Sequence, residues 1–105
     1  MIIQLVNFNL KDLSDADYRN ICDKLAPALA EMPGLLSKVW LADEASNTYG
    51  GVYTWADQSA MEAFFQTDFF KAFASNPGFA NITSKAFGTL EGPSEITRAR
   101  IAVAA

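Results

Sequence analysis

The chain has 105 residues, half of them hydrophobic, with a formal net charge of −4, one cysteine and no histidine. It has no basic stripe and no apolar run near the roughly 18 residues of a membrane span, which argues against nucleic acid and membranes as partners, and its single Cys22 fits a cytoplasmic location. The lack of histidine excludes Ser-His-Asp and Cys-His nucleophile systems, the usual zinc and non-haem iron sites, and a histidine-ligated haem.

A strand and a helix are predicted first. Residues 2–9 form a short, mostly apolar run that is typical of a largely buried strand. Ser14 then stands three residues before Asp17, which resembles a capping box, and apolar side chains recur after it at helical spacing. The helix is predicted to end at residues 32–34, and Pro27 inside it predicts a kink or a break.

An antiparallel hairpin follows. Residues 35–42 alternate imperfectly between apolar and polar side chains, and residues 48–55 supply β-branched and aromatic side chains at strand spacing. The polar residues 43–47 between them form the turn. Gly50 and Gly51 lie inside the second strand, where a missing side chain indicates a bulge or a close backbone approach.

The last part of the chain predicts a helix in two pieces, a strand and a tail. Each piece of the helix has two possible caps, which are Asp57 or Ser59 for the first and Thr67 or Asp68 for the second. Residues 79–90 form the final strand. Residues 91–105 are too few for a core of their own and hold at most a short helix around residues 94–101.

This order of elements predicts one domain over residues 1–105, with a ferredoxin-like βαββαβ fold of the α+β class. Its antiparallel four-stranded sheet carries both helices on one face. The opposite face is left bare, and burying each large apolar side chain there is worth about 1.5 to 3 kcal/mol. We therefore expect a homodimer that covers this face, with the tail of residues 91–105 lying on the partner subunit.

Four segments resemble a known family. They are Gly-Leu-Leu-Ser-Lys-Val-Trp at residues 34–40, Gly-Gly-Val-Tyr at residues 50–53, Lys-Ala-Phe at residues 85–87, and Pro93-Ser94. Their order and spacing are similar to those of the YdhR-like mono-oxygenases, within the dimeric α/β barrel superfamily. The resemblance runs from the first strand to the tail.

The resemblance implies a homodimer formed sheet to sheet, with a pocket in each subunit between the sheet and the helices. Relatives in the superfamily oxidise polycyclic phenolic substrates without metal, flavin or haem. For this chain it therefore implies an oxidation that needs no cofactor and no metal.

Two pairs of residues in the hairpin are candidates for such a pocket. Lys38 and Trp40 share one side of their strand, where the lysine either lies along apolar surface with its ammonium in water or places a cation at a pocket wall. The family pattern favours the pocket. Tyr53 and Trp55 share a side of the next strand, and they either pack in the core or line the cavity while packing.

The remaining candidates lie elsewhere in the chain. Lys85 and Phe87 on the last strand repeat the pairing of a cation with an aromatic ring, and Asn7 is a polar residue in an apolar strand that needs a partner if it is buried. Phe64 belongs to a group of phenylalanines that mainly form the core, of which one or two roof the cavity.

The first functional hypothesis is a cofactor-independent mono-oxygenase that acts on a small aromatic, phenolic or enolisable substrate. Lys38 or Lys85 would stabilise the substrate anion or act as a base, with Tyr53 and Asn7 as hydrogen-bond partners. Trp40 and Trp55 would stack on the ring, with Phe64 and Phe87 completing the wall. The alternatives are a non-catalytic homodimer that binds a small hydrophobic molecule, a lactone-type isomerase, and a purely structural dimer.

Overall fold

A computed structural model of the chain describes residues 1–99. The elements follow one another as β1 (Ile2–Leu10), α1 (Asp15–Ala30), β2 (Leu35–Asp43), β3 (Thr48–Trp55), α2 (Gln58–Phe65), α3 (Asp68–Ser75), β4 (Phe79–Gly88) and α4 (Glu91–Ile96). The four strands form one antiparallel sheet in the order β2-β3-β1-β4. This confirms the predicted ferredoxin-like α+β fold.

The helices begin where local capping predicts. The side chain of Ser14 accepts a hydrogen bond from the backbone N–H of Asp17 at 3.0 Å. Asp57 and Thr67 cap α2 and α3 in the same way, so the predicted division of the second helix is confirmed. Of the kink or break predicted at Pro27, the break is wrong, because α1 continues through this residue to Ala30. Proline removes one backbone donor, but packing of the helix against the sheet maintains the helical path.

A β-bulge lies at the start of β2. Leu35 pairs with Trp55 and Ser37 pairs with Thr54, so Leu36 is an extra residue on this strand. The regular alternation of side chains therefore begins at Ser37, not at Leu35. Beyond the bulge, Lys38 pairs with Tyr53 as part of the hairpin.

The face of the sheet toward the helices, called the inner face below, holds the core. Trp55 and Gln4 are both 0% exposed there, and both ends of the Gln4 carboxamide have a hydrogen-bond partner. Its Oε1 accepts a hydrogen bond from Trp55 Nε1 at 2.9 Å, and its Nε2 donates to Ser84 Oγ at 3.0 Å. The Tyr49 hydroxyl donates to Asp15 Oδ1 at 2.6 Å, which ties the start of α1 to β3.

The opposite face of the sheet, called the outer face, has no helix of residues 1–99 over it. It carries apolar side chains that are unusually open to solvent, with Val39 58% and Phe87 46% exposed. Among residues 1–99, no helix is both long enough and apolar enough to cross a bilayer. The last helix, α4, begins earlier than predicted, and residues 100–105 of the predicted tail lie outside the described residues.

Candidate functional site

A cavity of about 240 Å³ lies between the inner face of the sheet and the helices. Most of its wall is aromatic or aliphatic, and the polar side chains in it are few. The residues that line it are Phe8, Tyr18, Ile21, Cys22, Leu25, Leu29, Lys38, Trp40, Gly50, Tyr53, Phe64, Phe69, Phe70, Ala72, Phe73, Asn76 and Phe79. An apolar wall with a few polar groups is the usual composition of a site for a small organic ligand.

Among residues 1–99, Lys38 supplies the one formal charge in this wall. Its register opposite Tyr53 directs the side chain to the inner face. Nζ lies 3.4 Å from the centroid of the Trp40 ring and 4.6 Å from that of Tyr53. Within residues 1–99, no carboxylate forms an ion pair with it. The ammonium is therefore held by ring faces and remains available to an anion in the cavity.

Burial governs the ionisation of the cavity wall. Loss of solvent around Lys38 lowers the pKa of its amine to about 8, and the neighbouring Cys22 acts on this pKa in the opposite sense. The two ring faces also favour the charged form. Burial raises the pKa of Tyr53 to about 12 and raises the pKa of Tyr18 well above its ordinary value. At neutral pH the wall therefore offers one ammonium and two phenolic hydroxyl groups.

Trp55 supports the site from behind. Its ring stacks on Tyr53 with the centroids 5.9 Å apart and the planes 3° from parallel. Because Gln4 holds the indole N–H of Trp55, a buried polar pair fixes the stack beneath the cavity. Trp55 is fully buried, so a ligand in the cavity would touch Tyr53 and not Trp55.

The structure brings together four of the residues that the sequence suggested, namely Lys38, Trp40, Tyr53 and Phe64, which all line the cavity. It does not bring the other four there, because Trp55 is buried behind Tyr53 and Asn7, Lys85 and Phe87 lie elsewhere.

Asn7, Lys85 and Phe87 were predicted to join them but lie on the outer face, where Asn7 pairs with Thr83 and Lys85 with Leu5. The Asn7 carboxamide donates to the backbone oxygen of Tyr49 at 3.4 Å. Strand spacing correctly predicts that Lys85 and Phe87 share one face of β4, but it does not say which face of the sheet is covered by helices.

Two polar residues of α1 belong to the cavity although the sequence did not single them out. Tyr18 and Cys22 are four residues apart and therefore share the helix face toward the sheet. Their spacing was visible as part of an apolar helical stripe, which predicted packing and not a site. Burial raises the pKa of the Cys22 thiol, which keeps it protonated. Within the described part of the chain, no cluster of three or more potential metal ligands occurs.

Solved structures share this fold. The chain is similar to a putative antibiotic biosynthesis monooxygenase from Deinococcus radiodurans, with 16% identity, a TM-score of 0.72, and coverage of 88% of this chain and 95% of that chain. It is also similar to SnoaB, a cofactor-independent oxygenase from Streptomyces nogalater, with 18% identity, a TM-score of 0.66, and coverage of 85% and 93%.

A third structure, a putative antibiotic biosynthesis monooxygenase from Caulobacter crescentus, has 19% identity, a TM-score of 0.68, and coverage of 85% of this chain and 89% of that chain. At these identities the likeness shows the fold alone. No curated protein matches the chain.

The family comparison is more specific, because it compares the chain with the sequence pattern of a whole family. The family described as Putative mono-oxygenase ydhR matches residues 2–100, from the start of β1 to beyond α4. This match includes the hairpin that carries Lys38, Trp40 and Tyr53 into the cavity wall. The resemblance seen in the sequence is thereby confirmed, and the chain belongs to the YdhR family of mono-oxygenases.

Proposed function

We propose that the chain is a cofactor-independent mono-oxygenase of the cytoplasm, which acts on a small aromatic molecule that can form a phenolate or an enolate. The reaction takes place in the cavity of each subunit of a homodimer. Membership of the YdhR family supports the reaction class, and SnoaB, which shares the fold, is described as a cofactor-independent oxygenase.

The observation that carries the proposal is the position of Lys38. Its ammonium lies in an apolar, aromatic cavity and forms no ion pair within residues 1–99. A cation in such surroundings stabilises an anion far more strongly than a cation in water does. The site is thus suited to hold a flat organic anion, with its charge at Lys38 and its ring against aromatic walls.

An anion of this kind can reduce dioxygen directly. For a substrate with a reactive methylene group the overall change is R₂CH₂ + O₂ → R₂CO + H₂O, in which the substrate supplies all four electrons. One oxygen atom forms the new carbonyl group and the other leaves as water. The substrate first loses a proton. Its transfer to a neutral Lys38 amine, or binding of the preformed anion by the ammonium, gives the same ion pair.

Tyr53 and Trp40 would complete the site. The Tyr53 hydroxyl is protonated at neutral pH, since burial raises its pKa to about 12, and it can donate a hydrogen bond to the oxygen of the anion. Trp40 offers a ring face beside the ammonium. Phe64 and the phenylalanines of α3 exclude water, which strengthens the ion pair.

The outer face supports the homodimer. Val39 and Phe87 expose apolar surface there, and contiguous apolar patches on a small protein mark an interaction site. A second copy of the same face would remove this surface from water. Native mass spectrometry at micromolar concentration gives the subunit number directly, and a monomer would contradict this part of the proposal.

Oxygen uptake with anthrone tests the reaction. We expect oxygen uptake to be faster than without protein, with one O₂ consumed per anthrone. With ¹⁸O₂, one labelled atom should appear in the product and one in water. Conversion that proceeds equally well without oxygen would instead identify an isomerase. Recovery of unchanged ligand from a stable complex would identify a binding protein.

A further inference from the structure

The stem of Lys38 lies against a place in the sheet that has no side chain. Gly51 is buried on β3, where it pairs with Trp40 on one side and with Val6 on the other. A Cβ atom built on Gly51 would lie 2.7 Å from Lys38 Cε, which is too close for two carbon atoms that are not bonded. The aliphatic stem of Lys38 therefore occupies the space that a side chain at position 51 would fill.

We propose that Gly51 is a positioning residue for Lys38, because its missing side chain forms the seat in which the lysine stem lies flat against the sheet. The seat is bounded by the rings of Trp40 and Tyr53, over which the ammonium is held at 3.4 and 4.6 Å. With a larger residue in the seat, the stem must rise and the ammonium must leave these rings.

Gly50 and Gly51 are adjacent but differ in what they accommodate. A Cβ on Gly50 would lie 1.8 Å from the backbone oxygen of Val6, so this glycine permits β1 and β3 to pair. A Cβ on Gly51 would meet the flexible end of a lysine, while the nearest backbone atom, the oxygen of Val39, is 3.3 Å away. Gly51→Ala should therefore displace Lys38 and leave the sheet intact, which makes the proposal testable.

The first test measures the pKa of the Lys38 amine by NMR on protein with ¹³C-labelled lysine. In Gly51→Ala we expect a rise of at least about half a pKa unit relative to the unchanged protein, because the displaced ammonium regains water. The affinity for 1-naphthoate at pH 7 should fall several-fold, since the anion loses its held cation. Gly88→Ala is the matched control, because nothing lies within 4 Å of a Cβ at that position.

A folded Gly51→Ala protein with an unchanged Lys38 pKa would overturn the proposal. Should the variant be unstable, a double-mutant cycle still decides, because shortening the lysine in Lys38→Ala removes the atom that the new Cβ meets. The cost of Gly51→Ala in unfolding free energy should then largely disappear. An equal cost in both backgrounds would show that Gly51 does not act through Lys38.

The relevance of this seat to catalysis rests on the proposed function, but the measurements do not. The pKa, the naphthoate affinity and the double-mutant cycle need no turnover. If these shift as expected while the unchanged protein consumes no oxygen with any substrate, Gly51 still positions Lys38 and the proposed reaction is the part that fails.

Discussion

The sheet carries a lysine two residues before an aromatic residue twice, once on each face. On β2, Lys38 is followed two residues later by Trp40, and on β4, Lys85 is followed by Phe87. In both pairs the ammonium lies over the ring, at 3.4 Å from the centroid on β2 and at 5.3 Å on β4. The first pair faces the helices and lines a cavity, whereas the second faces outward.

The surroundings, and not the local pattern, separate the two lysines. Burial lowers the pKa of Lys38, and its ammonium lies in the wall of a largely apolar cavity. Lys85 lies on an exposed surface beside a ring that is 46% exposed. A cation next to an aromatic residue therefore gives a candidate for a site only once the covered face of the sheet is known.

The largest expected difference between the two faces is in activity. Lys38→Met should reduce oxygen uptake per folded dimer by about 100-fold or more, in the range for loss of a group that stabilises a developing oxyanion. Lys85→Met removes the same charge from the outer face and should retain most of the activity. Equal losses in the two variants, measured with an oxygen electrode, would contradict the assignment of the site to the inner face.

The second difference concerns assembly. Val39→Asp places a carboxylate on the outer face of the edge strand β2, and in a sheet-to-sheet homodimer it would bring two such groups into an apolar interface. We expect the dimer to weaken by about 100-fold or more, as seen by sedimentation equilibrium. Ala45→Asp in the exposed turn between β2 and β3 adds the same charge and should leave assembly unchanged. Equal dimer dissociation constants for the two variants would show that the outer face is not the dimer interface.

The third difference concerns stability. Gln4→Leu fills nearly the same volume but leaves the Trp55 indole N–H buried without a partner, so we expect a loss of about 1 to 3 kcal/mol in the free energy of unfolding. Asn7→Ala on the outer face removes one long hydrogen bond near solvent and should cost about 0.5 kcal/mol. Urea unfolding measures both, and a larger loss for the Asn7 variant would reverse this ranking of the two faces.

The smallest expected effect is on the pH dependence of binding. Because the pKa of Lys38 is about 8, its charge is present at pH 7 and is lost as the pH rises through 8. The affinity for 1-naphthoate, an anion throughout this range, should be constant near pH 6 to 7 and then fall by up to about tenfold per pH unit above 8. Lys38→Met should abolish this decline, as measured by fluorescence titration. If the affinity still declines with pH in this variant, the titration of a group other than Lys38 causes the decline.

The parts of the fold that depend on local signals could be predicted from the sequence. Ser14, Asp57 and Thr67 begin helices because a cap acts on backbone groups only a few residues away. Alternation along β2 likewise placed Lys38 and Trp40 together. Neighbouring side chains and backbone positions decide these features, and distant parts of the chain have little influence on them.

The composition of the cavity wall could be predicted only in part, because it depends on which face is covered. Apolar residues occur on both faces of β1, so nothing in that strand assigns Asn7 to one side. On β4 the inner-facing residue Ser84 is small and polar, since it contacts the buried Gln4 carboxamide. The larger side chains of Lys85 and Phe87 lie on the outer face, although their pairing of a cation with a ring resembles the wall of a pocket. The sequence predicts a bulge or a close backbone approach at Gly50 and Gly51, but it does not identify Lys38 as the neighbour of Gly51.

The bulge at Leu36 affects how the chain can vary without losing its site. The orientation of Lys38 is determined by the hairpin beyond the bulge, through pairs that run from Ser37 to Asp43. This irregular stretch can accommodate an added or deleted residue between α1 and Ser37. The same change in a regular strand would move every later side chain to the opposite face of the sheet. Variants of different length in the α1–β2 connection can therefore keep their lysine directed toward the same interior.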